Sequence, residues 1–151
     1  MDQVKNQAEQ MADLTFELVK TWRDNELFLA EKFNLTPVEF KFLRFFRSSN
    51  SLNVKELVKL MNLTPGRITH IITSLEAKGL ITREIDPDDR RGIVVILTEQ
   101  SLPLIKSLNE NHVRLHTEVL SGMEAEKIPS VISAMEELVK GFQKWSDIKQ
   151  D

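Results

Sequence analysis

At 151 residues, with 41% hydrophobic and 28% charged side chains, the chain suits one domain or a domain with a helical extension and is too apolar for disorder. It has no cysteine and no tyrosine, which removes disulfides, thiol catalysis, thiol redox sensing, thiolate zinc sites and a phenolic general acid. The net charge of −3 counts weakly against a nucleic-acid binder until it is divided by region. Residues 1–40 carry 4 basic and 8 acidic side chains, residues 41–92 carry 10 and 6, and residues 93–151 carry 6 and 9. The positive charge is confined to the middle, and phosphates are neutralised locally rather than by the whole-chain sum. Charge alone leaves statistical fluctuation open. No apolar run approaches the roughly 20 residues that span a bilayer. Residues 1–10 are polar and lack a signal-peptide core, so a cytoplasmic chain without membrane contact is expected.

Val4, Ala8, Met11, Thr15, Leu18, Trp22, Leu29 and Phe33 recur at spacings of three and four or their sums, which predicts a helix over 4–33 ending at Asn34. Thr36-Pro37-Val38-Glu39 has the form of a capping box with proline at the first helical position, opening a second helix to about Arg47. Residues 48–51 read as a loop. Asn53-Val54-Lys55-Glu56 repeats the capping logic for a short helix to about Met61, and Thr64-Pro65 starts a fourth that closes at Lys78-Gly79, glycine being the left-handed cap. The period then becomes extended over 80–86. Asp86-Pro87-Asp88-Asp89 is a turn cluster, and Ile93-Val94-Val95-Ile96-Leu97 is a β-branched strand. The two strands form a hairpin with its tip near 88–91. Thr98 reads as the cap of a fifth helix, with Pro103 delaying its regular start to Ser101 or Leu102, or bending it. Ser121-Gly122 ends that helix near Leu120, and a last amphipathic helix is expected over 124–149. The fold class is therefore mainly α with a small β-hairpin wing. Residues 35–98 form a winged helix-turn-helix, and residues 1–34 and 99–151 form a helical dimerisation region. The terminal helices carry wide apolar faces that need each other or a second subunit.

In a helix-turn-helix the second helix enters the major groove. Over residues 64–78, Ile68, Ile71, Ile72 and Leu75 share a narrow arc that suits the core. The opposite arc holds Gly66, Thr69, His70, Thr73, Ser74 and Ala77, with Arg67 on its flank and Thr64 at the cap. Short hydroxyl side chains let a helix sit close to base edges and phosphates, threonine methyls can touch thymine, and Arg67 can reach guanine or phosphate. A face that is merely short and polar is the plainer alternative. The wing adds Arg90 and Arg91 at an exposed tip, where a guanidinium can enter the adjacent minor groove. Asp89 suits a bidentate pair that holds Arg91. A solvated turn with local charge cancellation is the plainer reading of the hairpin alone.

The stretches Leu75-Glu76-Ala77-Lys78-Gly79-Leu80-Ile81, Asp86-Pro87-Asp88-Asp89-Arg90-Arg91-Gly92 and Val95-Ile96-Leu97-Thr98 together resemble the signature of the MarR (multiple-antibiotic-resistance regulator) family of winged helix-turn-helix transcription factors. Asp89, Arg90 and Arg91 match that family's Asp-basic-Arg wing motif, and Leu97-Thr98 match its strand-to-helix junction. The layout is similar over nearly the whole chain. The resemblance implies a triangular homodimer formed by the terminal helices, a near-palindromic operator in double-stranded DNA, and modulation by a small aromatic or phenolic effector. It makes repression the default mode. Two departures stand out. His70 occupies a position where many members carry arginine, which opens the base preference. Ser101 stands where the family usually has glycine, with Pro103 close behind.

His112 and His116 are four apart, a spacing that can chelate a metal if a third ligand arrives, though such a pair is more often structural or solvent-exposed. Phe16, Trp22, Phe40, Phe42, Phe45 and Phe46 can line a ligand cleft or simply form core, so no pocket residue is assigned. No phosphate-binding glycine loop, metal triad or nucleophile–base pair is present, so neither a cofactor nor enzyme activity is expected. The competing class is a winged helix used for protein contact without sequence-specific DNA binding. Such a module calls for large apolar residues on the exposed helix face, where this chain has few.

Overall fold

A computed structural model describes residues 2–148. In chain order the elements are α1 (Asp2–Lys32), α2 (Pro37–Arg44) with a 3-10 turn at Phe45–Arg47, β1 (Ser51–Asn53), α3 (Val54–Met61), α4 (Pro65–Ala77), β2 (Ile81–Ile85), β3 (Ile93–Leu97), a 3-10 turn at Glu99–Ser101, α5 (Leu102–Ser121), a further turn at Ala125–Lys127, and α6 (Ile128–Ile148). The chain divides into two compact units, one ending at Asn109 and one beginning at Glu110. Among the described residues, no helix is long and apolar enough to cross a membrane.

The expected hairpin is part of a three-stranded antiparallel sheet in the order β1-β3-β2. Its third strand lies partly in the segment read as a loop: Ser51, Leu52 and Asn53 pair with Ile96, Val95 and Val94. Three residues are too few to show a period, and the strand exists because β3 offers it an edge. In the first unit, Leu43 from α2, Leu57 from α3, Ile68, Ile72 and Leu75 from α4, and Ile81 and Val95 from the sheet are buried. Phe40, Phe42 and Phe46 join this core, with the Phe42 and Phe46 ring centroids 5.7 Å apart and their planes tilted by 35°. Phe16 is instead exposed, and Trp22 lies under the Arg44 guanidinium at 5.6 Å, so the six aromatics do not make one cluster.

Three helices end by one device. Asn34, Asn62 and Gly79 have φ of 55°, 52° and 72°. In each case the next residue's N–H returns to a carbonyl five residues back: Leu35 to Ala30 at 2.9 Å, Leu63 to Val58 at 3.4 Å and Leu80 to Leu75 at 3.0 Å. These are Schellman closures, which answer orphan carbonyls and place a leucine just past each helix end. The starts are equally local. Thr36 with Glu39, and Asn53 with Glu56, form reciprocal capping boxes, and Thr64 accepts from the Arg67 N–H.

The exit from the sheet departs from expectation. The Thr98 side chain makes no helix cap. Its hydroxyl donates to the Gly79 carbonyl at 2.7 Å while its N–H donates to Leu80 at 3.1 Å. Residue 98 therefore ties the end of β3 to the end of α4. Ser101, wholly buried, donates its hydroxyl to the Thr98 carbonyl at 2.7 Å. Regular helix begins at Leu102 with Pro103 second, where a missing N–H costs nothing. The last helix starts at Ile128 after a 3-10 turn, later than expected, with Pro129 again second. The expected end at Lys149 lies outside the described residues.

At Gly79 a Cβ would meet the amide end of the Gln100 side chain, with Oε1 nearest at 3.0 Å, and that end is movable. The cost of substitution is therefore the left-handed backbone rather than crowding. Gly79→Ala is expected to destabilise the fold by about 1–2 kcal/mol, read as a lower urea midpoint with an unchanged m-value, and Gly79→Asn is expected to recover part of it.

Candidate nucleic-acid interface

Burial divides α4 as its periodicity requires. Ile68, Ile71, Ile72 and Leu75 are buried, while Gly66, Arg67, Thr69, His70, Thr73 and Ala77 are exposed, as is Thr64 at the cap. The Thr69 hydroxyl donates to the Pro65 carbonyl at 3.0 Å and the Thr73 hydroxyl to the Thr69 carbonyl at 2.9 Å. Both side chains thus spend their proton on their own helix, leaving oxygen lone pairs and a methyl group for an incoming partner. No Cβ contact lies within 4 Å of Gly66, so that part of the helix surface is open.

Ser74 does not belong to this face. It is half-buried, and its hydroxyl donates to Glu39 Oε1 at 2.6 Å. The wheel position placed it outward, but a carboxylate on α2 claims it. Glu39 is 2% exposed. Its Oε2 also accepts from Lys78 Nζ at 2.7 Å and from the Thr36 N–H at 2.8 Å, and Lys78 donates again to the Asn34 carbonyl at 3.0 Å. Burial pushes the Glu39 carboxyl up, but the hydrogen bonds from Lys78, Ser74 and Thr36, with the Lys78 charge, outweigh it and hold the group below the ordinary carboxylate range. The last turn of α4 is thereby fastened to the junction of α1 and α2. Sequence reasoning saw Glu39 only as a capping-box partner. Nothing along the chain marks its second lone-pair set as taken from 35 and 39 residues away.

The wing is built from its acids. Asp86 Oδ1 accepts from the Asp88 N–H at 2.9 Å, and its Oδ2 accepts from the Asn53 side chain at 2.6 Å. Asp89 Oδ1 accepts from the Arg91 N–H at 3.0 Å, and its Oδ2 lies 3.2 Å from Lys55 Nζ. The bidentate pair expected between Asp89 and the Arg91 guanidinium is therefore replaced. Asp89 shapes the turn through the Arg91 backbone and links it to α3, which leaves the guanidinium exposed alongside that of Arg90. The Arg91 backbone bond and then Lys55 hold the Asp89 carboxyl below its usual range. Gly92 is buried, and a Cβ there would lie 3.2 Å from both the Asp86 Cβ and the Asp89 carbonyl. A further link escaped the sequence reading. Arg83 on β2 makes a two-point pair with Glu76 on α4, at 3.0 and 2.6 Å, which sets the wing against the helix.

His112 and His116 share the helix α5, with ring centroids 4.5 Å apart, but the His116 Nδ1 lies 2.7 Å from the His112 carbonyl of its own helix. Among the described residues no group of three or more His, Asp or Glu side chains is arranged to hold a metal ion.

The model described as the MarR family matches residues 35–93, from two residues before α2 to the first residue of β3. Over that stretch the chain is similar to the MarR family. Its curated relatives include the HTH-type transcriptional regulator MhqR of Bacillus subtilis, 27% identical over 97 residues that cover 64% of this chain and 67% of the relative. They also include the multiple antibiotic resistance protein MarR of Salmonella typhimurium, 26% identical over 99 residues, or 65% and 69% of the two chains. Among solved structures, a MarR family protein from Bacillus stearothermophilus has a similar fold, with a TM-score of 0.81 at 19% identity, covering 92% of this chain and 97% of that one. Streptococcus pneumoniae FabT, solved in complex with DNA, gives 0.80 at 17% identity over 90% and 97%. The relative MhqR is named as a transcriptional regulator, and the likeness to these solved structures shows that this chain shares their fold.

The Glu39 node gives a signed pH dependence. Its folded carboxyl titrates below the unfolded one, so between the two the unfolded state binds more protons and stability rises with pH. The contribution is complete above about pH 4.5, the unperturbed value, and is lost as pH falls through the folded pKa. Glu39→Gln is expected to cost about 1–3 kcal/mol at pH 7. It is also expected to flatten the acid limb of a urea-midpoint profile below about pH 4.5. An unchanged acid limb removes Glu39 from that limb.

Proposed function

We propose that the chain is a homodimeric, ligand-responsive repressor that acts in the cytoplasm on a near-palindromic operator in double-stranded DNA. Residues 64–78 occupy the major groove and residues 86–92 the adjacent minor groove. The observation that carries this reading is the pairing of an exposed, short polar face on α4 with two exposed arginines on a wing locked to that helix. Thr64, Gly66, Arg67, Thr69, His70 and Thr73 supply the reading face, and Arg90 and Arg91 supply the groove arm; Ser74 instead fixes the helix from behind. Residues 35–98 serve as the reading head, and residues 1–34 and 99–151 as the dimerisation region. In support, α1 exposes Val4, Leu14, Phe16, Leu18 and Phe28, and α6 buries no residue although Ile132, Met135, Leu138, Val139 and Phe142 punctuate it. Apolar surface on this scale calls for a partner, and a second copy supplies one reading head per half-site. A small aromatic or phenolic effector follows from the family resemblance, as does repression. Protein contact without DNA is disfavoured by the exposed face of α4, which carries no large apolar side chain.

Selection from random duplex DNA is expected to enrich an inverted repeat with half-site centres about 10 base pairs, or 34 Å, apart, and light scattering is expected to give a dimer. Failure to enrich any sequence rejects the reading. Repeating the selection with aromatic acids present tests the effector. Arg91→Ala is expected to weaken binding to the selected duplex roughly tenfold and to lower the slope of log affinity against log salt by about 1, with thermal stability unchanged. Equal affinity and slope remove the wing from the interface.

A further inference from the structure

The wing carries a feature that neither its arginines nor its turn chemistry uses. Ile85 and Ile93, the outermost residues of β2 and β3, are 70% and 42% exposed and face each other as register partners. Such large β-branched side chains at the open end of a small sheet lose the packing that ordinarily places them in strands.

Their position follows from the register. Side chains alternate between sheet faces, so Ile81, Arg83 and Ile85 share one face, opposite Leu97, Val95 and Ile93 respectively. The inner pair, Ile81 and Leu97, is buried. Arg83 in the middle reaches Glu76 on α4, so this is the face turned towards the recognition helix. Continuing outward, the same face presents Ile85 and Ile93, and beyond them the turn presents Arg90 and Arg91. Of the two acids flanking Ile85 in sequence, Glu84 falls on the opposite face, and the Asp86 carboxylate is engaged by the Asn53 side chain and the Asp88 N–H.

We propose that Ile85 and Ile93 form an apolar contact with the deoxyribose edge of the minor groove, beneath the arginine tip. The inference rests on the reading of the wing as a groove arm. DNA is the occupant favoured by continuity and size. The pair adjoins two exposed cations that suit phosphates, and sugar carbons are the apolar surface found between phosphates. Two side chains are far short of the roughly 800 Å² per partner that a stable protein interface buries. Minor-groove proteins commonly place apolar side chains beside their cations. The contact excludes water next to the Arg90 and Arg91 ion pairs and adds affinity that salt does not screen.

The test uses the full chain and a duplex selected by the wild-type protein. Ile85→Thr/Ile93→Thr keeps β-branching in both strands and shortens only exposed side chains. Operator affinity is expected to fall roughly tenfold, the effect of uncovering on the order of 50 Å² of apolar surface. The salt slope, melting temperature and sedimentation coefficient are expected to match wild type. Ile85→Val/Ile93→Val is expected to retain most of the affinity. Affinity within twofold of wild type for the threonine pair, while Arg91→Ala still weakens binding, overturns the contact and leaves the wing reading intact. If neither variant changes affinity, the wing reading fails as well. A salt slope that falls together with affinity shows a displaced wing instead of a lost apolar contact, and overturns the proposal. Altered self-association overturns it in favour of a contact between copies.

Discussion

A carboxylate taken out of water persists as an ion only when its lone pairs are answered, and Glu39 answers that demand with groups from three places in the chain. Thr36 contributes a backbone N–H, Ser74 a hydroxyl and Lys78 an ammonium. Because Ser74 and Lys78 lie one turn apart at the end of α4, satisfying the charge fixes both the position of that helix and its rotation about its own axis. A rotation that brought Ser74 outward would leave an uncompensated buried oxygen, costing a few kcal/mol. The orientation of the exposed face of α4 is therefore the consequence of a polar constraint on its hidden side.

The same logic extends to the wing. A two-stranded ribbon projecting from a small sheet has little core of its own, and this one is held by side-chain links at each level. Thr98 joins the end of β3 to Gly79, Arg83 joins β2 to Glu76, and Asn53 and Lys55 join the start of α3 to Asp86 and Asp89. The exposed links contribute little individually, and their effect is to narrow the range of positions the tip can take. The acidic character of the turn then has a structural explanation. Asp86 and Asp89 are occupied with backbone N–H groups and with α3, and the arginines remain available.

How much of this was legible follows from range. Helix starts and stops depend on neighbours within five residues, and Thr36, Asn53, Thr64, Asn62 and Gly79 were readable for that reason. The core face of α4 was equally readable from its period. What escaped is long-range or competitive. β1 is a strand only because Val94 to Ile96 lie beside it. Thr98 has a capping residue's chemistry, but the Gly79 carbonyl took its hydroxyl. Ser74 sits on the outward arc by the wheel and is drawn inward by a carboxylate 35 residues away. Asp89 was expected to reach a guanidinium, whereas the backbone N–H two residues on is closer and requires no side chain to be ordered.

These placements give the proposed interface a division of labour that the net charge of −3 conceals. The outward face of α4 has Arg67 as its one cation near the helix start, and its centre consists of Thr69, His70 and Thr73. With the threonine protons donated back into the helix, the groups that Thr69 and Thr73 offer outward are acceptors and methyls. These complement the amino groups of adenine and cytosine and the methyl of thymine. A face of that kind discriminates bases but attracts a polyanion weakly. Attraction then falls to the wing, where two guanidinia are exposed because neighbouring acids are tied up elsewhere. In the proposed interface, sequence preference and electrostatic affinity are thus carried by different elements. They act together only because the Glu76–Arg83 pair and the Thr98–Gly79 bond hold the two elements in register.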